Sequence, residues 1–441
     1  MDSPQRPLLM GYYPDWVGDQ FPPENIDFSR YDWVDFAFAV PNSQFQLEWD
    51  DDEAPRLLSR LVAAAHTAGT KVKLSIGGWT GSKYFSPAVS TAENRKTFAS
   101  NILSVYRTYD LDGIDIDWEY PGHKGNDGNL YSPLDTSNFL AFLKVLRATL
   151  PTTAKISAAV QTIPFLGGDG DPIPDTSEFG KVFDWILLMN YDTWESTSPP
   201  GPNAPLYDAC NNSTQPASSA SAGVVAWVES GFPLSKLVLG LPSYGYVQRS
   251  SSERLITRWH QLRGNHRWHE HEDSEKHHEH QPGGDFWGNW GHGHSGGDDD
   301  DNDDGSGGSG TSGDDGEHPG PSPLPANPGG GTPVVVDDSD NQVQFRELVE
   351  QGALVLSRGE DGAIQYVGGG GFERRWDSCS ETPFLRSTAS GQIITYDDPE
   401  SLALKARFAK DVGMLGINVF DIHGDTDGGH LIDAIRDAMK M

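Results

Sequence analysis

Eight short apolar runs constrain this chain more than any other feature. They are Leu8–Tyr13, Trp33–Val40, Lys71–Gly77, Leu111–Trp118, Lys155–Gln161, Phe183–Tyr191, Lys236–Ser243 and Met414–Ile422, and each reads as a strand. Between several of them lie helical patterns. Arg56–Ala68 gathers Leu57, Leu58, Leu61, Val62 and Ala65 on one face, the spacing of an amphipathic helix. Ala92–Tyr109 does the same with Phe98, Ile102, Val105 and Tyr106, and Thr136–Thr149 with Phe139, Phe142, Leu143 and Leu146. Leu402–Val412 and Leu431–Met439 close the series. Strands that are apolar on both faces and alternate with such helices predict a parallel sheet covered on both sides. Eight units predict an α/β fold, a closed (β/α)8 TIM barrel, for which about 250 residues is typical.

The eighth strand comes late. About 170 residues separate Ser243 from Met414, far beyond an ordinary connection. A small α+β insertion domain between strands seven and eight accounts for them. The expected division is 1–246 for the first part of the barrel, 247–396 for the insertion and 397–441 for the closing part. Arg254–Arg258, Val343–Leu356, Phe372–Trp376 and Gln392–Tyr396 look foldable. Residues 261–332 do not, because they mix His/Glu, Asp runs and Gly/Ser/Pro, a composition that predicts a disordered loop.

The formal net charge is −32. Nucleic acid and anionic membrane surfaces are disfavoured partners, because phosphate binding needs clustered Lys and Arg. Much of the charge sits in the low-complexity loop, including the run Asp298–Asp304, which serves solubility. His266, His269, His271, His277, His278 and His280 in the same loop are imidazole donors, but nothing fixes a geometry for a metal. Trp268, Phe286, Trp287 and Trp290 could touch a polymer surface. No apolar stretch is long enough to span a bilayer. Met1–Pro7 shows no secretory signal. Two overlapping sequons at Asn211–Thr214 nevertheless favour an extracellular location. The chain has two cysteines. They allow one bridge, Cys210 to Cys379, which would staple the strand-six loop to the insertion in an oxidising compartment; the alternative is two free thiols.

The most informative segment is Asp112-Gly113-Ile114-Asp115-Ile116-Asp117-Trp118-Glu119-Tyr120-Pro121-Gly122. On a strand, Asp115, Asp117 and Glu119 point one way and Ile114, Ile116 and Trp118 the other. Three carboxylates on a buried strand must share protons and hydrogen bonds. Glu119 falls at the strand's C-terminal end, where barrels place catalysis. Such a cluster lifts at least one carboxyl toward neutrality and suits it to general acid work. A divalent-metal site is the competing reading. Hard-cation sites usually draw on flexible loops, whereas Trp, Ile and Pro frame these acids, so no metal or other cofactor is expected.

Asp112–Gly122 resembles the Asp-x-x-Asp-x-Asp-x-Glu signature of glycoside hydrolase family 18 chitinases. Lys73-Leu74-Ser75-Ile76-Gly77-Gly78-Trp79 resembles the family's strand-three Ser-x-Gly-Gly motif, and Met189-Asn190-Tyr191-Asp192 its strand-six Met-x-Tyr-Asp motif. Gly11-Tyr12-Tyr13 and Phe36-Ala37-Phe38 are similar to its first two strands. The resemblance covers roughly 7–255 and 340–441, with a bacterial-type insertion and a fungal texture near Val412–Asn418.

The resemblance implies a chitinase that hydrolyses β-1,4 bonds of N-acetylglucosamine polymers with retention. Glu119 would protonate the glycosidic oxygen, and the substrate's own acetamido oxygen would attack, the exception among retaining glycosidases. Asp117 would hold the acetamido N–H against the developing oxazolinium charge. Asp115 would share a proton with Asp117, a coupled pair. Tyr191 would donate to the acetamido group and Asp192 would bind the sugar beside it. Tyr12, Phe38, Trp79, Tyr120 and Met189 would line the subsites, with core packing as the plainer role for Phe38 and Met189. Gly77-Gly78 would let backbone approach the ring.

Two positions depart from the family pattern. Phe420 stands where members usually carry Trp beneath the central sugar. Tyr244-Gly245-Tyr246 replaces Tyr-Gly-Arg. The partner implied is chitin or chito-oligosaccharides, bound by a monomer. Rival readings are an endo-β-N-acetylglucosaminidase acting on glycoproteins and a chitin-binding, lectin-like protein without turnover. The second rival fits less well, because Asp117 and Glu119 are both present.

Overall fold

The computed structural model describes residues 6–195, 199–211, 213, 215–255, 335–336, 341–359 and 364–441. The His-rich tract, its aromatic residues and the acidic run lie outside the described residues, as do parts of the expected Arg254–Arg258 segment and of the sequons.

Eight parallel strands close on themselves. They are Leu8–Pro14, Trp33–Pro41, Lys71–Gly77, Gly113–Asp117, Lys155–Val160, Trp185–Leu188, Leu237–Pro242 and Gly416–Phe420. Each pairs with its neighbour, and strand one pairs with both strand two and strand eight. The expected (β/α)8 barrel is therefore the observed one. Strand four is shorter than its apolar run, and strand six covers only the middle of Phe183–Tyr191. The flanking residues leave the ladder and become loops at the ends of these strands.

The strands alternate between two cores. One lies between sheet and helices and holds Ile114, Ile116 and Trp118 with Phe139, Phe142 and Leu143. The other lies inside the barrel and holds Met10, Tyr12, Trp33, Trp185 and Leu187. Trp118 is stacked on Phe85, with ring centroids 5.3 Å apart and planes 12° off parallel, and meets Phe139 edge-on. Burying a side chain of this size contributes about 3 kcal/mol, and it pins the outward face of strand four. That anchor forces Asp115 and Asp117 inward.

Helices Ala54–Ala68, Ala92–Thr108, Asp135–Thr149, Pro399–Val412 and His430–Met439 match the sequence patterns to within a turn. Phe85–Ser90, Ser177–Val182 and Ala220–Glu229 are additional. The first two span six residues each, too short to show a period, and the third is apolar on most sides. Pro399–Val412 shows why its bounds were readable: Asp398 accepts from Glu400 N and Ser401 N at the N-terminus, and Gly413 closes the helix at φ 89°, as helix-end chemistry requires.

A five-stranded antiparallel sheet lies between barrel strands seven and eight in the chain. Its strands run Gln342–Gln344, Tyr244–Arg249, Gln392–Thr395, Thr382–Ser387 and Glu373–Asp377 in spatial order. A separate pair, Leu354–Arg358 with Ile364–Gly368, and the helix Phe345–Glu350 accompany it. Tyr244–Arg249 starts two residues after barrel strand seven ends, so the sheet hangs directly from the barrel's C-terminal rim. Cys210 and Cys379 are bonded, with Cα atoms 5.2 Å apart. Around the bridge, Ala209 N donates to Cys379 O and Leu206 N to Ser380 O. The strand-six loop is thus stitched to the insertion sheet.

Candidate active site

Asp115 and Asp117 project into the barrel from strand four and are buried. Asp115 is ringed by donors. Its Oδ2 accepts from Tyr12 Oη at 2.8 Å and Ser75 Oγ at 2.9 Å, and its Oδ1 from Ser157 Oγ at 2.5 Å. Strands one, three and five each supply one hydroxyl. Asp117 differs: its Oδ1 is buried and accepts no hydrogen bond among the described residues. Burial, then the charges of Glu119 and Asp115, push the Asp117 carboxyl well up from the usual range.

Glu119 lies two residues beyond the strand and is partly exposed. Burial raises its carboxyl to about 7, the Asp192 charge adds to this, and a hydrogen bond with Tyr120 opposes it. A carboxyl poised there is protonated in mild acid and gives up its proton near neutrality, which is what a general acid/base needs. The neighbouring backbone is held tightly. Ser82 Oγ accepts from Glu119 N at 2.9 Å and donates to Gly78 O at 2.8 Å. Asn129 Nδ2 donates to Glu119 O at 3.3 Å. The peptides Ala37–Phe38, Glu119–Tyr120 and Phe420–Asp421 are cis.

Gly77 and Gly78 have φ of 117° and 81°. A Cβ on Gly77 would lie 2.1 Å from Asp117 O, and Gly78 N donates to that same oxygen at 2.8 Å. In this structure the glycines serve the close approach of strand three to the end of strand four.

Asp192 follows strand six with φ 57°. Tyr244 Oη and Tyr246 Oη both donate to its Oδ1, at 2.6 and 2.8 Å. Burial raises the Asp192 carboxyl to about 6 against these two hydrogen bonds. Asn203 Oδ1 accepts from Asp192 N at 2.8 Å, and Asn203 Nδ2 donates to Tyr244 O. Burial also pushes the Tyr12 and Tyr191 phenols well up, so both remain hydrogen-bond donors.

The aromatic residues gather around these acids. Phe420 lies 5.4 Å from Tyr12 and 6.1 Å from Tyr191, centroid to centroid. Phe38 and Met189 are partly buried and pack on the barrel's inner core together with Phe420. Tyr120 is buried and Trp79 partly exposed. Trp16 sits beside Phe38 at 6.2 Å and is 44% exposed. The sequence patterns did not single out Trp16, Ser82, Asn129 or Asn203. Trp16 alone carried a signal, an aromatic just past strand one.

A family model for glycosyl hydrolases family 18 matches residues 8–425. The chain belongs to glycosyl hydrolase family 18. It is 35% identical to a chitinase-like effector of Moniliophthora roreri over 97% of this chain and 92% of that one. Its fold is similar to the chitinase RmChi1 of Rhizomucor miehei, with a TM-score of 0.70, 25% identity, and 98% of this chain and 99% of that chain covered. A Cycas revoluta family 18 chitinase solved with (GlcNAc)4 shares the fold at 18% identity and a TM-score of 0.66, over 98% of this chain and 99% of its own.

Proposed function

We propose that this protein is a retaining chitinase that cleaves β-1,4 bonds of N-acetylglucosamine polymers with the substrate's acetamido group as nucleophile. One observation carries the reading. A partly exposed carboxyl at about 7, Glu119, stands next in line to a buried carboxyl, Asp117, whose Oδ1 has no donor among the described residues. In this reading Glu119 protonates the leaving oxygen while Asp117 takes the acetamido N–H. Tyr191 donates to the acetamido carbonyl and aligns its oxygen on the anomeric carbon. Glu119, now charged, then removes a proton from the water that opens the oxazolinium. Each such stabilising contact is typically worth a few kcal/mol. Phe420, Tyr12, Trp79 and Phe38 offer apolar faces to the sugar rings. The Cys210–Cys379 bridge supports an extracellular site of action, since such bonds persist in oxidising compartments.

A second reading has its own support: the Moniliophthora roreri relative is named a chitinase-like effector. This reading is chitin-oligosaccharide binding without turnover. A time course of products from chitin hexamer separates the two. Shorter oligomers appearing first as β-anomers support hydrolysis with retention. Tight binding with an intact hexamer supports the second reading. Fully deacetylated chitosan should stay uncut, because it lacks the nucleophile.

A further inference from the structure

Beneath the acid cluster lies a buried lysine. Lys73 points inward from strand three and is 1% exposed. Its Nζ lies 3.1 Å from Asp35 Oδ1 and 3.7 Å from Asp115 Oδ1. It donates to Ser157 Oγ at 2.5 Å, and that hydroxyl passes its own hydrogen to Asp115 Oδ1. The ammonium also sits 4.7 Å above the Trp185 ring. A charge this deep is costly unless anions and hydrogen bonds surround it. Asp35 and Asp115 are those anions, and Asp35 is further held by Asn418 Nδ2 at 2.8 Å.

We propose that Lys73 is a positioning residue of the acid cluster: it fixes negative charge on Asp115, so that the proton carried by the Asp115–Asp117 pair resides on Asp117. The hydrogen bonds made to Asp115 are donated to it, by Tyr12, Ser75 and Ser157, and Lys73 in turn donates to Ser157. A protonated Asp115 would need an acceptor there. Among the described residues no donor reaches Asp117 Oδ1, so nothing there stabilises a negative charge on it. The charged and titratable groups around the pair are Tyr12 from strand one, Asp35 from strand two, Glu119 and Tyr120 beyond strand four, and Tyr191 after strand six. Strands five and eight contribute the uncharged Ser157 and Asn418. Lys73 is the cation in this set. With the proton already on Asp117, substrate binding does not have to draw it away from Asp115.

The rate test rests on the hydrolytic reading. Lys73→Met combined with Asp35→Asn removes one charge of each sign. Without the cation, negative charge on the acid pair is less stabilised, and the acid limb of the kcat/KM profile moves up by about one pH unit. Activity well below the optimum then falls about tenfold more than activity at the optimum. Asp35→Asn alone leaves Lys73 facing Asp115 undivided, and the acid limb moves down. A packing defect lowers activity equally at all pH, so uniform loss, or the same direction in both variants, overturns the proposal. If the double variant does not fold by circular dichroism, the sign for Asp35→Asn decides. If the wild type cleaves no chitin hexamer, the hydrolytic reading fails separately. The same displacements are then read from hexamer binding against pH by calorimetry on a Glu119→Gln background, where superimposable curves overturn the role of Lys73.

Discussion

Tyr246 donates its phenolic hydrogen to Asp192 Oδ1 at 2.8 Å. A neutral donor thus meets this carboxylate. Asp192 keeps its orientation, with Tyr244 as second donor, but its charge is not cancelled. That charge helps to raise the Glu119 carboxyl.

Tyr246→Phe tests the link. Losing one of two donors raises the Asp192 carboxyl above its present value of about 6. More of Asp192 is then neutral, its repulsion of Glu119 weakens, and Glu119 loses its proton at lower pH. The alkaline limb of kcat/KM should move toward acid by about half a unit. A pH–rate profile on a chito-oligosaccharide checks this, and an unmoved limb would mean that Asp192 does not tune Glu119.

Glu119→Gln should lower hydrolysis by about 10²- to 10⁴-fold, the typical share of a general acid, with oligomer binding retained. The same variant has a stability signature. Glu119 is raised from 4.5 to about 7 on folding. A carboxyl raised in the folded state costs nothing below its unfolded value and its full amount above the folded one. Glutamine removes that cost. Glu119→Gln should be more stable than wild type above pH 7, by at most about 3 kcal/mol. The gap should narrow as pH falls below 7 and be closed by about 4.5, as read by denaturant melts across pH.

Phe420→Trp extends the platform against Tyr12 and Tyr191. Added ring contact is worth about 1 kcal/mol, so KM for chitin oligomers should fall several-fold while kcat changes less. Calorimetry with hexamer on the Glu119→Gln background gives the binding part directly. Weaker binding would show that the pocket is fitted to phenylalanine.

Cys210 and Cys379 lie 169 residues apart in sequence. Constraining an unfolded chain of that length is worth up to about 5 kcal/mol on the loop-entropy account. A Cys210→Ser, Cys379→Ser double variant should melt well below wild type. Reductant should lower the wild-type melting temperature and leave the variant unchanged.

Much of this was readable in the chain. The alternation of apolar runs and helical faces determined a barrel, because a parallel sheet must be covered on both sides. The alternation within Asp112–Gly122 determined that the acids face one way and Trp118 the other, since strand side chains have period two. The two cysteines determined the bridge, once it formed at all. Sequence patterns report which face a residue occupies. They do not report what stands opposite it across the barrel. Asn418 meets Asp35 over a separation of 383 residues, and Tyr246 meets Asp192 over 54. Lys73 read as one more residue of an apolar run, and only barrel closure sets it between Asp35 and Asp115. Ser82, Asn129 and Asn203 hold the candidate-site loops through hydrogen bonds to backbone atoms, which no side-chain pattern encodes. Which face the acids share was thus set by local sequence. The state of charge each one carries was decided by tertiary structure, because it depends on burial and on neighbours brought in from other strands.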